Sequence, residues 1–142
     1  MQLNQPTGSE TISKKYLSEI EIASQLDGVE DFFELESKLL YEIHHLEIEK
    51  AKKTLRLLID RISLRAGKQT IRGVKHYFVV LSSIMARKLY ENQVPAKKAF
   101  AFNSACIGMV DSHMKDAQFL QFADDLIDFF VSVISERKQP TF

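Results

Sequence analysis

Glycine, proline and cysteine are scarce in this sequence, and each scarcity narrows the choice of fold. Five glycines and three prolines among 142 residues leave little material for tight turns, which disfavours a β-sandwich or barrel and favours long helices with short connections. The single cysteine, Cys106, excludes an internal disulfide framework and fits a reducing compartment. A hydrophobic content of 45% is ample for the core of one domain. We therefore predict an all-α protein, a bundle of about five to six helices.

The sequence also lacks a long apolar segment. No apolar run reaches the roughly 18 residues that a membrane-spanning helix needs. The N-terminal residues have no basic stretch followed by an apolar one, as a secretion signal would. We therefore expect a cytoplasmic protein that has no membrane partner.

A net charge of zero conceals a strong segregation of charge along the chain. Residues 19 to 49 contain ten acidic residues and one basic residue, whereas residues 50 to 88 contain eleven basic residues and one acidic residue. One interpretation is that the oppositely charged helices are neighbours and partly neutralise each other. The other is that the basic segment meets a polyanion such as DNA, although no glycine-rich phosphate loop or exposed aromatic ladder accompanies it. The residues concerned are Lys50, Lys52, Lys53, Arg56, Arg61, Arg65, Lys68, Arg72 and Lys75.

Apolar residues recur at helical spacing along almost the whole chain, which predicts six helical segments. Residues Tyr77 to Leu81 could also form a buried strand, but the apolar spacing around them stays helical for more than four turns. The fifth segment is expected to turn Ala99, Phe102, Cys106, Met109, Val110 and His113 to one face. The predicted segments run from Ser9 to about Gln25, from near Val29 to the connection at residues 44–47, from there to a stop at Gly67, from about Thr70 to Asn92, from Pro95 onward, and from Asp116 to near Arg137.

Residues with catalytic or metal-binding chemistry are few and isolated. His45 and Glu49 are four residues apart, as paired metal ligands on a helix are, but two ligands do not complete a site. Cys106 lies on an apolar face, where a structural thiol is expected. His76 and Tyr77 are compatible with a small ligand between helices or with ordinary half-buried packing. No nucleophile and base occur at a recognisable spacing, so we expect no enzyme activity, no metal and no cofactor.

A family resemblance emerges from two stretches of the sequence. Residues 36–58 read E-S-K-L-L-Y-E-I-H-H-L-E-I-E-K-A-K-K-T-L-R-L-L. They are similar to the helical pair E-x-x-L-x-x-A-I-x-x-G-D-x-x-x-A that precedes the DNA-binding domain in AraC/XylS-type transcriptional regulators of Gram-positive bacteria. The following stretch resembles that family's L-R-x-x-K-x-Y, a long apolar helix ending in R-K or R-A, a Gly-Val turn, and a helix with Ser and Ile. The matching residues are Ile71, Arg72, Lys75, Tyr77, Ala86, Arg87, Lys88, Val94, Ala99, Ser104 and Ile107.

The resemblance covers about Glu34 to Arg137, and the chain departs from the family pattern at two turns. Either His45-Leu46 or Leu46-Glu47 stands where the family has Gly-Asp. Asn92-Gln93 stands where the family has glycines, immediately before Val94. The family's helix-turn-helix domain is not part of this sequence.

The resemblance implies a regulatory domain that senses a signal or dimerises, and so controls a C-terminal DNA-binding domain absent from this chain. The expected partners are a second copy of the chain, DNA through the missing domain only, and a small-molecule or protein effector. Residues 1–28 would be an N-terminal helix or linker, residues 29–138 the regulatory or dimerisation domain, and residues 139–142 the start of a linker. The residues expected to act in regulation or at an interface are Arg72, Lys75, Tyr77, Arg87, Lys88, Tyr90, Phe100 and Ser104.

A different class of function also fits the sequence. A free-standing helical adaptor would bind a partner protein through an apolar groove or its acidic face, with an exposed patch that contains Tyr90, Phe100 and Phe142. A two-fold contact burying well over about 1,000 Å² would instead favour the dimerisation domain.

Overall fold

A computed structural model describes residues 8–26 and 28–136 of the chain, and within these ranges it contains helices and no strand. Two single 3₁₀ turns, Gly67–Gln69 and Asp116–Gln118, precede the fourth and the sixth helix. The all-α prediction is confirmed. The last helix was predicted to open at Asp116, but the α-helix itself starts at Phe119 after the 3₁₀ turn. The α-helices are α1 Gly8–Ser24, α2 Val29–His44, α3 Ile48–Ala66, α4 Thr70–Glu91, α5 Ala96–His113 and α6 Phe119–Glu136.

Helix α4 is the central element of the bundle, with α3, α5 and α6 packed around it. Five of its apolar residues are completely shielded from solvent, which is why the segment is helical although Tyr77 to Leu81 also had the composition of a strand. Their spacing of three and four residues places them on one face of the helix, which the neighbouring helices cover. They are Val74, Phe78, Leu81, Met85 and Leu89.

Helices α2 and α3 form an antiparallel pair that a buried polar contact joins. Glu42 of α2 is only 2% exposed, and its Oε1 accepts a hydrogen bond of 2.6 Å from the Thr54 hydroxyl of α3. The Lys38 ammonium lies 3.6 Å from the second carboxylate oxygen. A buried carboxylate needs such partners, since an unsatisfied charge in an apolar interior is strongly destabilising.

The turns after α2 and α4 share one geometry, in which a residue other than glycine has a positive φ. Leu46 follows α2 with φ 55°, and Gln93 follows α4 with φ 75°. At the first turn the N–H of Glu47 donates to the carbonyl of Glu42 at 2.9 Å, and at the second the N–H of Val94 donates to the carbonyl of Leu89 at 3.0 Å. Both are Schellman turns, in which a left-handed residue lets the chain satisfy the last helical carbonyls.

Helix α3 ends at a glycine that has a positive φ. Gly67 has φ 53°, and the predicted stop at this glycine is confirmed because α3 ends at Ala66.

Helix α5 packs chiefly against α4, which limits how much of its surface is covered. Ala99, Phe102, Cys106 and Val110 are buried as expected, but Met109 is 59% exposed. The prediction that Met109 faces inward is therefore wrong. Adjacent helical residues differ by about 100° in direction, so Val110 is buried while its neighbour Met109 is exposed. The His113 side chain lies outside the described residues.

Helix α1 presents apolar side chains that no other helix covers in the described part of the chain. Ile12, Tyr16 and Ile20, which lie at helical spacing, are 70%, 63% and 44% exposed. The helix was correctly located, but every side chain described from residue 11 to residue 26 is exposed.

Candidate functional site

Five of the eight residues expected to act in regulation or at an interface lie near the two ends of α4. Arg72 and Lys75 belong to its first two turns, whereas Arg87, Lys88 and Tyr90 belong to its last two. At about 1.5 Å per residue, the two groups are roughly 20 Å apart along the helix. The structure therefore defines two separate surfaces.

The surface at the C-terminal end of α4 is an open groove of about 500 Å³ between α4 and α5, which we term the aromatic groove. Tyr90 and Phe100 flank it and are 63% and 75% exposed, which is unusual for large aromatic side chains. Arg87 lines the same groove and donates a hydrogen bond from its guanidinium to the Ser83 carbonyl at 3.1 Å. The lining residues are Ala86, Arg87, Tyr90, Glu91, Ala96, Ala99, Phe100 and Asn103.

Hydrogen bonds between side chains fix the two walls of the aromatic groove. The Ser82 and Ser83 hydroxyls of α4 donate to the Oδ1 atom of Asn103 on α5, at 3.0 and 3.3 Å. Ser82 is fully buried, so this contact lies beneath the surface. The groove is thus a rigid concave surface whose rim is aromatic.

The surface at the N-terminal end of α4 is a second open groove, of about 430 Å³, which we term the basic groove. Four of its side chains carry or can acquire positive charge, and one carries negative charge. Apolar side chains of α4 and α5 form part of its lining. The lining residues are Lys68, Gln69, Ile71, Arg72, Lys75, His76, Val79, Val110 and Asp111.

Three of the predicted site residues fall outside both grooves. Tyr77 is buried, and its hydroxyl donates a hydrogen bond of 2.9 Å to the Glu36 carboxylate of α2. Burial, and then the negative charge of Glu36, raise the pKa of Tyr77 far above its ordinary value. Lys88 is half-buried, and Ser104 is exposed on α5. Tyr77 therefore links α2 to α4 inside the bundle.

The isolated residues considered for chemistry are in ordinary environments. The His45 ring stacks on Tyr41 and its Nδ1 atom lies 2.9 Å from the Tyr41 carbonyl. Across residues 8–26 and 28–136, no group of three or more histidine, cysteine, aspartate or glutamate side chains is arranged to hold a metal ion. Cys106 is buried, and this burial raises its pKa to about 11. A thiol with that pKa is protonated at neutral pH and is a weak nucleophile.

Ion pairs between helices account for much of the segregated charge. Arg61 of α3 pairs with Asp31 of α2. On the other side of α3, Lys52 lies 2.9 Å from Asp128, and Arg56 lies 2.5 Å from Asp124, both on α6. The interpretation that the acidic and basic helices neutralise each other is therefore correct for Arg61 and Asp31. The carboxylates that pair with Lys52 and Arg56 come instead from α6, outside the acidic N-terminal region.

Two features of the site were not predicted from the sequence. The buried Glu42 could have been suspected only from its place among apolar residues of α2, at a position where the family pattern has alanine. The second feature is the basic groove. It could not be predicted, because the packing of the helices decides which cations have a carboxylate partner.

Comparison with known proteins adds no assignment. No protein-family model, curated protein or solved structure matches the chain. In the described part of the chain, none of the helices combines the length and hydrophobicity needed to cross a membrane.

Proposed function

We propose that this chain is the regulatory domain of a bacterial transcriptional regulator of the AraC/XylS type, which senses a signal or dimerises and thereby controls a separate DNA-binding domain. The observation that carries the proposal is the conformation of two turns. Both residues other than glycine that have a positive φ among those described, Leu46 and Gln93, stand where the family pattern has glycine.

The first turn supports the register in which Leu46-Glu47 stands where the family has Gly-Asp. Aligned from Glu36, the pattern places its leucine, isoleucine and last alanine on Leu39, Ile43 and Ala51, all of which are buried. It places its glycine on Leu46, whose φ is 55°. A left-handed conformation is the one for which glycine is preferred, so the backbone has the shape that the pattern requires although the glycine is replaced.

The second turn gives the same result independently. Gln93 has φ 75° and comes directly before Val94, which is buried. The family has a Gly-Val turn there. Agreement at two turns 47 residues apart in the sequence supports the resemblance more strongly than its apolar residues, which many helical bundles would share.

The aromatic groove supplies the surface that a dimerisation domain needs. A second copy that covers Tyr90 and Phe100 would bury large, rigid side chains of the type that dominates interface energetics. A two-fold contact at this groove would set the distance between two attached DNA-binding domains, and hence the spacing of the DNA half-sites. A signal that repacks α4 against α5 would change that spacing.

Sedimentation velocity over a range of concentrations tests the proposed dimer. We expect a dimer that Phe100→Asp converts to a monomer, whereas the control Leu64→Asp leaves it intact. Leu64 is 81% exposed on α3, so the control introduces the same charge at an equally exposed apolar position outside the groove. Equal effects of the two substitutions, or a monomer at every concentration, would contradict dimerisation through this groove.

The uncovered aromatic groove also supports the second candidate function, a helical adaptor. In that case the chain is monomeric, and Phe100→Asp removes the binding of a partner protein. Phe142, the third member of the expected patch, lies outside the described residues. A monomer whose partner is captured by the parent chain and by Leu64→Asp, but not by Phe100→Asp, would favour the adaptor.

A further inference from the structure

We propose that the basic groove binds a compact organic anion with two or more negative charges, such as a phosphate ester. The first observation is that positive side chains in the groove are not neutralised by ion pairs within the described residues. Within the described residues, the side chains of Lys68, Arg72, Lys75 and His76 form no hydrogen bond and no ion pair, although all four line one groove. By contrast, Lys52, Arg56 and Arg61 of the preceding helix each have a carboxylate partner.

The position of these cations on the helix is the second observation. Arg72 and Lys75 lie in the first two turns of α4, which has no acidic residue in its first turn and no side chain capping its N-terminus. The N-terminal end of a helix is positive, so cations there oppose the helix dipole. Lys68 follows the C-terminal end of α3, where a positive charge is favourable. This does not explain the positions of Arg72 and Lys75 near the N-terminal end of α4. A bound anion would relieve this repulsion.

The shape of the groove indicates the class of anion. A volume of about 430 Å³ is within the range of small-molecule sites, and the buried Val110 and half-buried Val79 offer a place for a carbon skeleton. Arg72 can hold a phosphate or carboxylate through two parallel N–H donors, and Lys75 acts as a point charge. Asp111, on the opposite wall, would repel an anion that extends across the groove, which favours a charged group concentrated at the α4 side.

Whether this anion acts as an effector depends on the proposed regulatory function, but its binding does not. Val79 and Val110 connect the groove to the contact between α4 and α5, the same contact that forms the aromatic groove at the other end. Occupation of one end can therefore bias how these two helices pack at the other.

Isothermal titration calorimetry with inorganic pyrophosphate, at low ionic strength, tests the binding. We expect saturable binding that weakens with added salt. Arg72→Gln should weaken it about tenfold, and Arg72→Gln combined with Lys75→Gln should weaken it further, because charge-assisted hydrogen bonds are lost. Asp111→Asn should strengthen binding. The control Lys53→Gln removes an exposed cation of α3 that lies outside the groove and has no partner among the described residues, so it should change the affinity little.

Three outcomes would overturn the proposal. They are no saturable heat with pyrophosphate, equal weakening by Lys53→Gln and Arg72→Gln, and binding of a short DNA duplex without binding of pyrophosphate, which would indicate a nucleic-acid surface. Arg72 is exposed. A circular dichroism spectrum of Arg72→Gln that matches the parent chain therefore excludes unfolding as the cause of lost pyrophosphate binding. A monomer that binds pyrophosphate would sink the dimerisation proposal alone, and a dimer that does not bind it would sink this one alone.

Discussion

Replacing Gln93 with glycine is expected to stabilise the protein, although it removes a side chain. Gln93 has φ 75° and is exposed, so its side chain contributes little packing. A residue with a Cβ atom in this conformation costs about 1 to 2 kcal/mol relative to the right-handed one, a penalty that glycine does not have. The greater freedom of glycine in the unfolded chain opposes the gain by about 0.4 to 1 kcal/mol. The expected net increase in the free energy of unfolding is about 0.5 to 1 kcal/mol.

This increase is large enough to measure. With an unfolding entropy of about 2.1 cal/mol/K per residue, a chain of 142 residues gains roughly 2 to 3 °C in Tm. Urea unfolding followed by far-ultraviolet circular dichroism gives the free energy directly, provided that the dependence on urea concentration is unchanged.

Two matched substitutions decide whether the reasoning is right. Gln93→Ala shortens the same side chain but keeps the Cβ atom, so it should not be more stable than the parent chain. Leu46→Gly relieves the same strain at φ 55° but removes a partly buried leucine that packs against the core, so it should be destabilising. The account is refuted if Gln93→Gly is no more stable than Gln93→Ala.

Three further predictions concern buried polar groups. Thr54→Val should cost about 2 kcal/mol, because it leaves the buried Glu42 carboxylate without its 2.6 Å donor, and Thr54→Ser, which keeps the hydroxyl, should cost less in the same urea experiment. Tyr77→Phe should cost about 1 kcal/mol through the lost hydrogen bond to Glu36. Above about pH 10 an unfolded tyrosine loses its proton, whereas the raised pKa of the native Tyr77 keeps this residue protonated, so the native state loses stability as the pH rises. Tyr77→Phe should therefore make the protein lose less stability above about pH 10. Unfolding curves measured at several pH values check the sign. Cys106, whose pKa is raised to about 11, should react with iodoacetamide at neutral pH at least 100-fold more slowly in the native than in the unfolded chain, and rapid native labelling would contradict its burial.

The helix positions were predictable because local signals agree with the packing. Gly67 directly follows α3 and Pro95 directly precedes α5, as their residue types predict. The apolar spacing over several turns identified α4 as a helix. Met109 was assigned to the wrong side because a periodic pattern gives the direction of a face but not its width, and α5 packs chiefly against one helix, α4. The exposure of the apolar face of α1 could not be predicted for a related reason. An apolar stripe in the sequence predicts a helix face but not which element packs against it.

The candidate site was only half predictable. Arg72, Lys75, Arg87 and Tyr90 came from the resemblance, and the structure groups them by their distance along one helix. That Arg72 and Lys75 have no partners among the described residues could not be predicted, because ion pairing depends on which residues the fold brings together. Lys52 and Arg56 of α3, for example, pair with Asp128 and Asp124 of α6, which lie about 70 residues further along the sequence.

The central claim is that this chain controls a DNA-binding domain, and the coding sequence that follows the Phe142 codon tests it most directly. The account predicts about 100 further residues, the size of an ordinary small domain, containing two helix-turn-helix units. A stop codon at that point would contradict it and favour an independent helical adaptor.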